Sequence, residues 1–293
     1  MALAENVINK KILIVLILLN AFSVYAGKSQ TVGDTIQVQY GFTLRNTRHF
    51  LLENAELWTY APRKFALGYE CIQLQSNLAY QLISDAYDNR ILHYQMPTIA
   101  PLGTKIVTIA ATLKKNIKQI KTFDRQTQFT KREKHIESDH PDIIALAKKL
   151  KKSTPEQSAY NIFKWVSKNM TYTGYIKNDR GALWALKHLQ GDCTEYMYLF
   201  IALCRALHIP ARGIGGYVIN KKNQILLPGN YHNWAEIYIN QQWQIVDPQK
   251  KVFFKSEKIY LAMRLIGEKK NSPMKYYHRY HFSGNGLTVK MRY

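Results

Sequence analysis

The chain has 293 residues, 46% of them apolar and 12% aromatic, which is ample for a packed core and excludes a disordered chain. Three cysteines, Cys71, Cys193 and Cys204, are too few for a disulfide framework to hold it together. Lys and Arg exceed Asp and Glu by 21; that excess favours an anionic membrane surface, a cell-wall polymer or nucleic acid as a partner, and charge alone does not choose among them.

Residues 1–26 resemble a secretory signal. Lys10 and Lys11 precede the apolar run Ile12 to Leu19, and Val24-Tyr25-Ala26 offers small residues at the cleavage positions. Cleavage is expected after Ala26, with a periplasmic or secreted product. The apolar run is short for a membrane span, and no later segment could cross a bilayer as a helix.

From Thr35 to about Leu113 the pattern has period two, clearest in Ile36, Val38, Tyr40, Phe42 and Leu44. Strands are predicted over Ala55 to Tyr60, Tyr69 to Gln75, Ala79 to Ser84, Arg90 to Gln95 and Lys105 to Leu113, with turn signals such as Ala61-Pro62 and Asp88-Asn89 between them. Regular short strands without helical runs predict a small β-sandwich over residues 27–115. His49 and His93 are isolated in it and read as structural or surface residues.

Residues 116–140 are highly charged and without a steady apolar period, as in a solvated linker. A second domain, 141–293, is expected to be α+β. Asp142 to Lys152 reads as a short helix with a basic face. Thr154 is an N-cap for the next helix, with Pro155 at its first position, Gln157 placed for a capping box, and a buried stripe of Ala159, Ile162, Phe163 and Val166.

The run GALWALKHLQGDCTEYMYLFIALCRALHIPARGIGGYV, from Gly181 to Val218, then places Cys193 at a helix start. Asp192 is a good N-cap, and Thr194 to Leu207 reads as a helix apolar around most of its circumference and therefore buried. A helix N-terminus lowers a thiol's pKa, so Cys193 is placed for nucleophilic attack. Cys204 lies eleven residues further on, roughly 16 Å along the axis at 1.5 Å per residue, too far to bridge Cys193. It reads as a core residue, with a bridge to Cys71 as the alternative.

After that helix, Arg212 to Asn220 reads as a strand, Lys221 to Asn230 as a polar loop, and Tyr231 to Ile239 with Trp243 to Val246 as a hairpin. A helix is expected near Glu257 to Ile266, and a closing strand carries Leu287, Val289, Met291 and Tyr293 on one face. A short hairpin loop around Asn240 and Gln241 sets Trp234 opposite Asp247, which places Asp247 diagonally beside His232 on one face. Thiol acyl transfer needs a nucleophile, an imidazole that moves the proton, and a group that fixes the imidazole's tautomer, and Cys193, His232 and Asp247 can fill these roles.

The runs GDCTEYMYLFIALCRALHIPAR, HNWAEIYI and WQIVDP occur in this order. Together they resemble the catalytic core of the transglutaminase-like superfamily of papain-like thiol enzymes, over about Pro155 to Pro248. The resemblance implies a helix bearing the cysteine packed on an antiparallel sheet. It also implies Cys193 as nucleophile, His232 as general acid and base, and Asp247 as the residue that orients the imidazole. The preceding strands are similar to the sandwich of secreted bacterial members. His208 stands where relatives commonly have Gly, and Glu236 and Arg212 match family positions with structural roles.

On this reading a thiolate and imidazolium pair attacks a protein or peptide amide, and the acceptor, water or an amine, stays open. The Cys193 N–H is the first oxyanion donor, with Trp184, Tyr172 and Tyr175 as candidates for the second or for the cleft wall, and Trp234 as a cover over the His232–Asp247 pair. No cofactor is expected, nor sequence-specific nucleic-acid binding. Two rival readings are a non-catalytic module that binds an anionic polymer through its basic surface, and a metal site using His278 and His281, for which the ligand spacing of a closed zinc site is missing.

Overall fold

The computed structural model describes residues 35–115, 126–256, 258–267 and 272–292. The expected signal at 1–26 and the first ten residues of the expected linker, 116–125, lie outside the described residues, as do Glu257 and Tyr293.

Seven strands come first: β1 (Thr35–Asn46), β2 (Leu52–Tyr60), β3 (Phe65–Ala66), β4 (Tyr69–Ser76), β5 (Gln81–Ser84), β6 (Arg90–Ile99) and β7 (Thr104–Lys115). Alternation decides their faces. Val38, Tyr40, Phe42 and Leu44 of β1 are all at most 3% exposed, while Gln37, Gln39 and Arg45 face out. β1, β7, β4 and β3 form one sheet and β2, β6 and β5 another, and both bury their apolar faces in a single core.

The helical layer follows, with α1 (Pro141–Leu150), α2 (Pro155–Asn169), β8 (Thr171–Tyr172), α3 (Ala182–His188), β9 (Gln190–Gly191) and α4 (Cys193–Ala206). Caps set the starts. Thr154 Oγ1 accepts from Gln157 N at 3.1 Å with Pro155 as the first residue of α2. α4 is buried over all residues from Thr194 to Arg205. Met197, Leu199, Phe200, Ile201 and Leu203 are each fully buried, and each such side chain stabilises the fold by about 1.5–3 kcal/mol. All three cysteines are free, Cys71 in the sandwich core and Cys204 in the helical core.

The second half supplies β10 (Ala211–Ile219), β11 (Asn223–Ile225), β12 (Tyr231–Ile239), β13 (Gln242–Asp247), β14 (Val252–Phe253), β15 (Ile259–Ile266), β16 (Tyr280–Ser283) and β17 (Leu287–Met291). An antiparallel sheet in the order β14-β13-β12-β10-β15 carries α4 against β10 and β12. Its β12–β13 hairpin turns through Asn240 and Gln241, both at positive φ (52° and 63°), the primed geometry that matches strand twist.

Two sequence expectations change. The helix expected near Glu257 to Ile266 is the strand β15, hydrogen-bonded along β10 and buried from Tyr260 to Ile266. A short, largely apolar run fits a strand buried on both faces as well as a helix, and here the free edge of β10 selects the strand. The loop expected over Lys221 to Asn230 contains β11, which runs parallel to β1 and leads Leu226 into the sandwich core. β17 and β16 likewise pair with β1 and β2, so the chain's last strands complete the N-terminal sheets.

Candidate functional site

Cys193 opens α4, and its surroundings are fixed by a reciprocal cap. Asp192 Oδ1 accepts from Thr194 N at 2.7 Å, and Glu195 Oε2 accepts from Asp192 N at 3.0 Å. Asp192 Oδ2 also accepts from Ile176 N at 2.9 Å, and Glu195 Oε1 from Arg180 N at 3.1 Å, which ties the 176–180 loop to the helix start. A Cβ at Gly191 would strike the Glu195 side chain, so glycine is needed just before the cap. The Asp192–Glu195 spacing was readable as a capping box, although only the N-cap half was expected from sequence.

His232 and Asp247 meet as the hairpin register requires. His232 Nε2 lies 2.6 Å from Asp247 Oδ2, with the residues 6% and 1% exposed. Asp247 Oδ2 also accepts from Tyr260 Oη at 2.9 Å, and Oδ1 from Lys250 N at 3.0 Å. Burial and the nearby Asp247 carboxylate push the Tyr260 phenol well up, so it stays a neutral donor. Tyr260 was missed in the sequence because it lies in the segment expected to be helical.

Gly216 pairs with His232 across β10 and β12, and a Cβ there would strike the Leu261 carbonyl and meet the Trp234 ring at 3.0 Å. The Trp234 ring lies nearly parallel to that of His232 at 6.4 Å and edge-on to Tyr260 at 5.0 Å.

Asn233 joins the two halves. Its Nδ2 donates to Thr194 Oγ1 at 2.9 Å, pinning the strand residue after His232 to the first turn of α4. Its backbone also acts on the Cys193 sulfur, favouring the anion. Nothing in the sequence singled Asn233 out, because the tie exists only once β12 and α4 are packed.

The thiol departs from expectation. Burial pushes Cys193 up to about 12, and the Asp192 carboxylate adds to it, while the Asn233 backbone and the Thr194 side chain act in the opposite direction. Desolvation of the sulfur thus outweighs the helix N-terminus and favours the neutral thiol. Burial likewise raises Glu195 to about 7.

Cys193 lines a cavity of about 710 Å³ with Tyr172, Tyr175, Asp192, Asn233, Tyr276 and Tyr277 among its walls. Pairing of β8 with β9 sets Tyr172 beside Gly191, and Tyr172 and Tyr175 are 52% and 79% exposed. Trp184 is not brought to this cavity: it stacks on His188 at 4.2 Å and beneath the Arg180 guanidinium at 4.3 Å. Arg212 and Glu236 form a cross-strand ion pair at 2.6 Å, a structural tie. Among the described residues no group of three His, Cys, Asp or Glu side chains is arranged to hold a metal ion. His278 faces Asp179 at 3.6 Å, and His281 stacks on Trp58.

A candidate cysteine protease from Cytophaga hutchinsonii superposes with a TM-score of 0.56 at 17% identity, over 88% of this chain and 90% of that one. The periplasmic domain of TgpA from Pseudomonas aeruginosa, bound to ethylmercury, aligns with a TM-score of 0.39 at 19% identity, over 73% of this chain and 90% of its own. No curated protein matches the chain. Residues 144–248 of the chain match the transglutaminase-like superfamily core.

Proposed function

We propose that the protein is an exported thiol enzyme that transfers acyl groups from protein or peptide amides, using Cys193, His232 and Asp247. The observation that carries this reading is the buried 2.6 Å contact of His232 Nε2 with Asp247, on a strand tied through Asn233 to the helix that Cys193 opens. With Nε2 engaged by Asp247, Nδ1 is the ring nitrogen left for proton traffic. Sγ attacks the amide carbonyl as Nδ1 takes the thiol proton, and Asp247 stabilises the resulting imidazolium. The Cys193 N–H at the start of α4 faces the developing oxyanion. His232 then passes the proton to the leaving amine, and a thioester on Cys193 remains.

Water as acceptor gives proteolysis or deamidation, and a lysine amine gives a cross-link. The test is to incubate the protein with peptide mixtures and a labelled amine, then read products by mass spectrometry. Incorporated amine assigns transamidation and new peptide ends assign proteolysis. Neither product, or products retained by Cys193→Ala, overturns the reading. Export rests on the N-terminal 26 residues, and a mature protein that does not begin at Gly27 would contradict it.

A further inference from the structure

A second cavity, of about 800 Å³, adjoins the first. The two share Lys177, Asn178, Asp179, Tyr276 and His278 in their walls. At its wall lies Arg264, on β15, only 6% exposed. Its Nε donates to Tyr231 Oη at 3.1 Å, the Tyr60 ring lies 5.9 Å from its guanidinium carbon, and Tyr198 and His278 are near enough to feel its charge. Among the described residues no carboxylate lies within ion-pair distance of this guanidinium. The cavity's own carboxylates are engaged elsewhere: Glu133 by Arg205 at 2.7 Å, and Asp179 by the Tyr198 hydroxyl at 2.8 Å and His278 at 3.6 Å.

A buried guanidinium set among phenols and an imidazole, with no carboxylate paired to it, is costly to keep out of water, and a counter-charge that completes its hydrogen bonds would offset that cost. Lys177 and Lys275, both exposed, add positive charge at the rim of the same cavity. We propose that the Arg264 cavity is a subsite for a carboxylate of the amide substrate, with Arg264 as the residue that selects it. The planar fork of a guanidinium matches a carboxylate in two parallel hydrogen bonds. A doubly charged phosphate would meet stronger repulsion from Glu133 and Asp179, so the singly charged group fits better. Because the cavities share a wall, a peptide with its amide at Cys193 would place the carboxylate beyond the Lys177–Asp179 segment. The inference rests on the amide acyl-transfer reading for its substrate class.

The test uses the Cys193→Ala protein, so that binding is read without turnover. Calorimetry compares acetyl-tetraalanine as free acid with its C-terminal amide, and an acetylated, amidated tetrapeptide carrying Glu with its Gln counterpart; inorganic phosphate is titrated alone. At least one acid is expected to bind about tenfold or more tighter than its neutral partner, as hydrogen bonds to charged groups allow. Arg264→Gln should bring the pair to within about twofold. Should Arg264→Gln fail to fold, Lys177→Ala/Lys275→Ala at the exposed rim should shrink the gap about threefold and weaken its salt dependence. No acid preference, a preference that survives the folded Arg264 variant or the rim variant, or phosphate binding tighter than either acid would overturn the subsite. A failed subsite leaves catalysis at Cys193 untouched, and a carboxylate preference without turnover in the unmodified protein would sink only the catalytic reading.

Discussion

Replacing His232 by Ala isolates the thiol's own environment. In that variant Cys193 keeps the burial and the Asp192 neighbour that push it up to about 12, and loses the group that takes its proton. Relative to a free cysteine near 8.5, the anionic fraction at about pH 7.5 falls roughly 3,000-fold. The more basic thiolate is the better nucleophile, which returns about 40-fold for a Brønsted slope of about 0.45. Cys193 in His232→Ala should therefore be alkylated about 80-fold more slowly than N-acetylcysteine. Because the folded value is raised, the reactive anion is scarce below it, and the rate should climb about tenfold per pH unit with no plateau near pH 9. Iodoacetamide labelling mapped by mass spectrometry over this range measures it, with buried Cys71 and Cys204, 2% and 0% exposed, as internal controls. The unmodified protein should be labelled faster than the variant near neutral pH. A variant that reacts like N-acetylcysteine, or levels off as an ordinary thiol does, refutes the reasoning.

Asp247→Asn should leave the fold intact and lower turnover by about 10²–10⁴-fold, because an amide cannot fix the same imidazole tautomer or stabilise the imidazolium; steady-state kinetics on any amide substrate found above would show it. Asn233→Ala removes a buried hydrogen bond worth about 1 kcal/mol and should lower the melting temperature by about 2–4 °C while slowing Cys193 labelling; equal labelling would mean that the tie to Thr194 does not hold the site together. Glu195 is raised to about 7, so its contribution to stability is complete below its unfolded value and is lost as pH rises through about 7; denaturation of the protein and of Glu195→Gln should diverge with pH across this window and run parallel outside it. His208 holds φ at 60° just past α4, where glycine carries no Cβ penalty, and His208→Gly should raise stability by about 0.5–1 kcal/mol in thermal melts.

Much of this fold was legible because local physics and tertiary structure agree. The period-two faces of β1 and β17, the Thr154 and Asp192 caps, and the parity that sets Asp247 beside His232 all follow from residue spacing. Legibility ended where a neighbour decides the outcome. The run Ile259 to Ile266 suits a helix or a buried strand, and the edge of β10 makes it β15. Three residues of β11 carry no pattern of their own, and their strand state depends on β1. The thiol's direction turned on desolvation by packed neighbours, a quantity that a helix-start motif does not encode. Asn233 and Tyr260 act through contacts between distant segments, and Trp184, a candidate for the second oxyanion donor or the cleft wall, faces Arg180 and His188 instead.

The central claim is that Cys193 becomes acylated with His232 moving the proton. Acid-quenched intact and peptide mass spectrometry after brief exposure to p-nitrophenyl acetate tests it most directly. The account predicts one acetyl group, on Cys193, lost on further incubation with water or an amine and absent from His232→Ala. Acetylation confined to lysines, or a Cys193 adduct that forms equally fast without His232, would contradict it.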